Sequence, residues 1–247
     1  MFLAFEMTND LSRYDKKLEH ILRTSARIFA EKSYHSTSMR DISRATGVSL
    51  AGLYHYCKSK EELLFLIQDH CFGRVSESLE QRIKNIDDPF EKLRIFIDNH
   101  LSFFAANMAE MKVLSHEAES LEGDLRKHVS TKKEKYAKLA RRILRELQDV
   151  SEARRPQPGS PAGVGRSGKA TLGRGNSRID LTVATYALFG MMNWIYNWYD
   201  PSGKLSVNQL VDNITRLFLN GFLSTASESL PMSRSRANEK VSIWRTA

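Results

Sequence analysis

Cysteine is nearly absent: the 247-residue chain has two, Cys57 and Cys71. That is too few for a disulfide framework, so packing alone has to hold the core. Long apolar runs are missing as well. No window approaches the ~20 consecutive apolar residues that a membrane-spanning helix needs. The opening stretch, Met1 to Met7, lacks a basic n-region and meets Glu6 too early for a signal peptide. A cytoplasmic protein is therefore expected. No segment alternates apolar and polar residues over a strand's length, which leaves a sheet without a signal. Metal-ligand sets are also lacking: His70 beside Cys71, and His55 near Cys57, fall short of a full set. His116-Glu117 does not continue into the zinc-protease pattern, because Ser120 replaces its second histidine. Neither a metal nor a catalytic constellation is expected.

What is present is an apolar fraction of 41%, enough for a buried core, and a net charge of +8 that is unevenly placed. Between Leu11 and Lys60 ten Lys/Arg stand against four Asp/Glu, and between 151 and 180 six stand against two. A basic N-terminal segment is the footprint of a phosphate-backbone binder, although an anionic membrane attracts the same charges. Residues 151–177 hold three prolines and six glycines and read as a flexible insert. Gly163–Thr171 inside it has the glycine and lysine spacing of a P-loop. Ala170, however, occupies the magnesium-binding Ser/Thr position, and no strand precedes the run.

Elsewhere the apolar residues recur at helical spacing. Leu18, Ile21, Leu22, Ala26 and Phe29 form one stripe, with short helices expected near 38–46 and 50–56. A longer helix starts at Ser59, where Ser59 and Glu62 have capping-box spacing, and runs toward Lys84. Pro89 opens another. Further helices are expected over 108–121, 124–150, 179–199 and 206–226, with a polar tail from 227. An all-α fold follows.

The run from Met39 to Tyr56 has the chemistry of a helix-turn-helix. Gly47 can adopt the left-handed backbone that ends a helix, and Ser49 can cap the next one two residues later. Ile42, Val48, Leu53 and Tyr56 are spaced to pack between the helices. The outward positions are short or hydrogen-bonding, as suits a helix laid in a major groove.

The longer run Ala30-Glu-Lys-Ser-Tyr-His-Ser-Thr-Ser-Met-Arg-Asp-Ile-Ser-Arg-Ala-Thr-Gly-Val-Ser-Leu-Ala-Gly-Leu-Tyr-His-Tyr-Cys-Lys-Ser-Lys-Glu-Glu-Leu-Leu64 resembles the N-terminal signature of the tetracycline-repressor (TetR) family. The resemblance covers roughly residues 15–70, and Cys57 departs from it where the family usually has Phe. It implies a transcriptional regulator that is not an enzyme. The implied parts are an arm over 1–14, a three-helix DNA-binding domain over 15–60 and a helical ligand-binding and dimerisation domain over 61–226. By this resemblance Thr37, Ser38, Arg40 and Lys60 contact DNA with the groove-facing Ser49, Leu50, Ala51, Tyr54 and His55; Lys60 and the start of the second helix hold phosphate.

The aromatic stretch Ala187–Ser206 is similar to a branch of the family that senses acyl-CoA thioesters. A small-molecule effector, an acyl-CoA for preference, is expected against Phe103, Phe104, Met108, His116, Asn193, Trp194 and Asn197. The last two helices could meet their symmetry mates as a four-helix bundle through Leu188, Met192, Ile195, Ile214, Leu217, Phe218 and Phe222. The expected partners are thus an operator, a second copy and the effector, with repression as the family's default. The rival reading is a helical adaptor whose basic segments sit on acidic membranes.

Overall fold

The computed structural model describes residues 12–117, 119–153 and 179–222. The arm before residue 12, the insert beyond Ala153 with its P-loop-like run, and the expected tail lie outside them. Nine α-helices and one 3-10 turn make up the described secondary structure.

Helix α1 (Arg13–Lys32) starts two residues earlier than the expected domain boundary, because Ser12 and Asp15 form a capping box. Helix α2 (Met39–Thr46) begins with a second box, between Ser38 and Asp41, and ends on Gly47 at φ 65°. Helix α3 (Leu50–Leu53) is one turn long, shorter than expected, and is capped by Ser49. Gly52 in that turn is tightly set: a Cβ there would meet Val48 Cγ1 at 3.0 Å and Ser49 Oγ at 3.1 Å, so those side chains would have to give way.

Helix α4 (Lys60–Ile83) takes its first cap from Ser59, which accepts the Glu62 N–H at 3.0 Å. The box is not closed reciprocally, since the Glu62 carboxylate turns to the Lys58 N–H instead. With 24 residues, α4 spans about 36 Å and runs from the N-terminal head, α1 to α3, into the body. The body adds α5 (Pro89–Ala105), α6 (Met108–His116), α7 (Gly123–Ala153), α8 (Leu181–Asn193) and α9 (Val207–Phe222). The single helix expected over 179–199 is interrupted: α8 tightens at Asn193 into a 3-10 turn, Trp194–Asn197.

Two apolar cores result. The larger joins α4, α5, α7, α8 and α9 around Leu79, Phe96, Leu101, Leu144 and Leu188. The smaller joins the head helices around Ile21, Ile42, Leu53 and Leu64, and body residues Val113, Leu121 and Val129 complete it.

Candidate functional site: a DNA-reading head coupled to an effector cavity

In the head, the residues expected to meet DNA separate into two groups. Arg40, Ser49, Ala51, Tyr54 and His55 are exposed around the turn and the short third helix, with Leu50 half-buried beside them. Tyr54 keeps 49% of its surface open although it ends a helix packed on the core. Such an aromatic on an otherwise polar face is available to a base edge or a thymine methyl.

The second group commits its polar atoms to bonds within the head, although Ser38 itself is exposed. Thr37 is buried, and its hydroxyl donates to the Ser33 carbonyl at 2.8 Å. The Ser38 hydroxyl donates to Asp41 at 2.5 Å within the capping box. Lys60 points its ammonium at the carbonyls of Tyr34 (2.9 Å), Thr37 (3.0 Å) and His35 (3.4 Å), over the Tyr34 ring. A cation at a helix N-terminus is unfavourable for the helix dipole, and three carbonyl dipoles offset that here. Lys60 therefore staples α4 to the loop before α2.

The body contains a cavity of about 640 Å³ walled by α4, α5, α6, α7 and α8. Of the seven residues expected around an effector, Phe104, Asn193 and Trp194 line it. Phe103 lines a separate hollow of about 200 Å³ between α1, α4 and the α5–α6 corner. Met108 packs on the larger core one turn before the α6 residues that face the cavity, Met111, Leu114 and Ser115. His116 is exposed, with its ring edge-on to Tyr196 at 5.5 Å. Asn197 is exposed as well, because a 3-10 turn advances about 120° per residue and carries it off the face of Asn193.

Sequence reasoning missed the cavity's polar floor. His100 is 3% exposed, and its Nε2 lies 3.0 Å from Asn193 Oδ1 while its Nδ1 lies 3.4 Å from the Tyr136 hydroxyl. Burial pulls its pKa down to about 4 against a partial lift from Asn193, so the ring is neutral near pH 7. Burial likewise pushes the Tyr136 hydroxyl well above its ordinary value. Lys133 lines the same cavity 5.6 Å from the Phe72 ring, with its pKa lowered by burial. The available signal was a histidine in the apolar stripe Leu93, Phe96, Leu101, Phe104, at a position where an aliphatic residue fits the pattern.

The cavity and the head meet at one carboxylate. Glu117, at the end of α6, is buried and accepts the Tyr34 N–H at 3.3 Å and the Ser120 hydroxyl at 2.7 Å. Its own carbonyl accepts from Gln68 of α4 at 3.1 Å. One helix thus walls the cavity and ties into the loop that leads to α2.

The expected pairing residues need correction. Leu188, Met192, Ile195, Ile214 and Phe218 are buried within the chain's own packing. Phe222 has no described side chain. Of these only Leu217, 67% exposed, keeps its surface open, together with Val183 (63%) and Tyr186 (63%) on α8 and Trp194 (60%) in the 3-10 turn after it. Because α8 is apolar nearly all round, its stripe against the chain's own core was mistaken for its outer one.

Among the described residues no group of three or more His, Cys, Asp or Glu is placed to hold a metal ion, and no helix is long and apolar enough to cross a membrane.

A helix-turn-helix head joined by one long helix to a helical body with an apolar cavity defines a ligand-responsive DNA-binding regulator. The comparisons agree. Residues 21–67 match the model of bacterial regulatory proteins of the tetR family, and residues 87–162 and 170–222 match the tetracyclin repressor-like C-terminal domain. The chain belongs to the tetR family of transcriptional regulators. It is 26% identical over 218 residues to the HTH-type transcriptional repressor KstR2 of Mycolicibacterium smegmatis, covering 85% of this chain and 92% of that protein. It is 30% identical over 91 residues to the fatty acid metabolism regulator protein of Bacillus subtilis, covering 37% of this chain and 47% of that protein. Among solved structures it resembles AibR in complex with isovaleryl coenzyme A and operator DNA, at 27% identity and a TM-score of 0.64, covering 81% of this chain and 97% of that one. The adaptor reading gains no support from these matches.

Proposed function

We propose that the protein is a dimeric repressor whose hold on its operator is released when an acyl-type effector, in the first place an acyl-CoA thioester, fills the cavity. The observation that carries this reading is that Phe72 of α4 and Leu114 of α6 both wall the cavity. Lys60, at the start of α4, and Glu117, one turn beyond Leu114 at the end of α6, hold the loop before α2. A ligand that spreads these walls moves both anchors of the head. Two recognition elements must meet the major groove about 34–36 Å apart, so a small tilt disfavours the bound spacing. The ligand acts only if it binds the released state more tightly.

Pairing uses the exposed face of α8 and α9 around Val183, Tyr186 and Leu217. The α8 part of that face (Thr182, Val183, Tyr186, Ala187, Gly190) is uncharged and suits a two-fold contact between copies, and the α9 part adds the charged Asp212 and Arg216 beside Leu217. The acyl-CoA assignment draws support from AibR, which is described in complex with isovaleryl coenzyme A, and from the aromatic lining.

The test is a titration of the purified protein onto DNA from upstream of its own gene, repeated with a series of acyl-CoA thioesters. Specific binding that one thioester releases is the expected result. Specific binding indifferent to all of them removes the ligand class and leaves the regulator. Absence of any preference, on that DNA and on selected random sequences, overturns the operator reading.

A further inference from the structure

We propose that the cavity selects an effector that carries an uncharged oxygen, a hydroxyl or a keto group, within its apolar part, and that Asn193 and Tyr136 read that oxygen through His100. The inference rests on the reading of this cavity as the effector site.

The argument is a count of protons and lone pairs. His100 is buried and neutral, so one ring nitrogen donates and the other accepts. With Asn193 Oδ1 facing Nε2, the ring donates to the amide, and Nδ1 is left to accept from the Tyr136 hydroxyl. The Tyr136 oxygen also accepts from the Asn99 side chain, so two groups then remain at the cavity floor: the Asn193 amide protons and the one remaining lone pair of the Tyr136 oxygen. If the amide is turned over, every bond in the relay reverses. Asn193 then offers its oxygen, and Tyr136 offers its proton. Either way the floor presents one unused donor and one unused acceptor, both attached to a single buried imidazole.

The surroundings make that pair informative. The rings of Phe104 and Phe189 stand 4.7 Å and 5.8 Å from His100, and neither offers a hydrogen-bond partner. A plain alkyl chain pressed on this floor drives water away and satisfies neither group. A ligand hydroxyl satisfies both, since it donates and accepts, and a keto oxygen satisfies the donor. Sites built to bond a ligand oxygen discriminate steeply against the analogue lacking it.

Lys133 defines the other end of the ligand. It is the one Lys or Arg among the described residues lining the cavity, and it makes no ion pair with them, whereas Glu134 beside it is engaged by Lys138 at 2.9 Å. An unpaired ammonium at an apolar wall suits a single carboxylate or the polarised carbonyl of a thioester. The ligand class is therefore an apolar acid or its thioester with one further oxygen along the chain.

The experiment uses the full chain and a set of ten-carbon probes: decanoate, its hydroxy and keto positional isomers, and the CoA thioester of each. Affinities are read by calorimetry for the native protein, Asn193→Leu and Tyr136→Phe, with melting curves to check folding. The expected result is that at least one oxygenated isomer binds about ten- to a hundredfold more tightly than its plain counterpart. Either substitution should bring that ratio toward one. Equal binding of plain and oxygenated probes by the native protein overturns the selectivity while leaving the effector site standing. So does a ratio that survives in Tyr136→Phe and in Asn193→Leu. If no probe of either kind binds, the effector-site reading falls and takes this inference with it.

Discussion

Every helix that begins in the head is started by a serine. Ser12, Ser38, Ser49 and Ser59 each accept an amide proton from the residue three further on. The body has no such uniformity: Asn107 before α6 makes no side-chain cap, and α5 and α8 begin on aspartates. What holds the body is its larger apolar core, with a few polar groups buried deep inside it. The head is thus closed by many short-range bonds around a small core, and the body by long-range packing around a cavity. Capping chemistry is local and tolerates change elsewhere in the chain. A cavity wall assembled from five helices depends on all of them.

Four experiments break or sharpen that contrast. The largest effect is expected where neither region acts alone. Val183→Asp with Leu217→Asp places charge on the face assigned to pairing, and we expect dimer loss and about a hundredfold or greater drop in operator affinity. Sedimentation and a DNA titration check this, and a variant that stays dimeric removes the assignment.

Acid should come next, through the body. The His100 pKa is lowered from 6.5 to about 4, so the unfolded chain binds the proton first as pH falls. The native state is fully stable with respect to this group above pH 6.5 and loses up to about 3 kcal/mol as pH falls to about 4. Denaturant melts across that window should show a shallower loss in His100→Gln. Identical slopes would mean that other groups govern acid sensitivity.

A smaller change is expected from Ser38→Ala, which removes the α2 capping box and should cost about 1 kcal/mol. The loss belongs to the head, so hydrogen exchange should quicken in α2 and α3 while α8 is unchanged.

The last experiment tests the joint. In Glu117→Ala the Tyr34 N–H loses its acceptor. Operator affinity without effector should change a few-fold at most, whereas the effector's ability to weaken DNA binding should fall about tenfold, within the usual range of coupling energies. An unaltered effector response would locate the coupling elsewhere.

The same contrast explains what could be read before the structure. Gly47, Ser49 and the apolar residues that pack between α2 and α3 lie within eighteen positions, so short-range rules were sufficient for the helix-turn-helix. The cavity floor unites His100, Tyr136 and Asn193 from three helices, and no spacing rule connects them. The inward turn of Lys60 depends on carbonyls more than twenty positions away. For α8 the difficulty was of another kind. With apolar residues on nearly every side, periodicity identifies a helix without saying which side the chain covers itself.

The smaller core has a consequence for anyone who treats the head as a detachable part. Val113, Leu121 and Val129 come from α6, the loop after it and α7, yet they close the core formed by Ile21, Ile42 and Leu53. A fragment ending at Ile67 would expose the apolar surface those three residues cover, and a graft onto another regulator would meet a foreign set of side chains there. The boundary for transplantation is therefore discontinuous: residues 12–67 must travel with a patch drawn from 113–129. The exposed positions Ser49, Ala51, Tyr54 and His55 lie outside this seam and can be changed without touching it. Exchange of whole heads cannot avoid it.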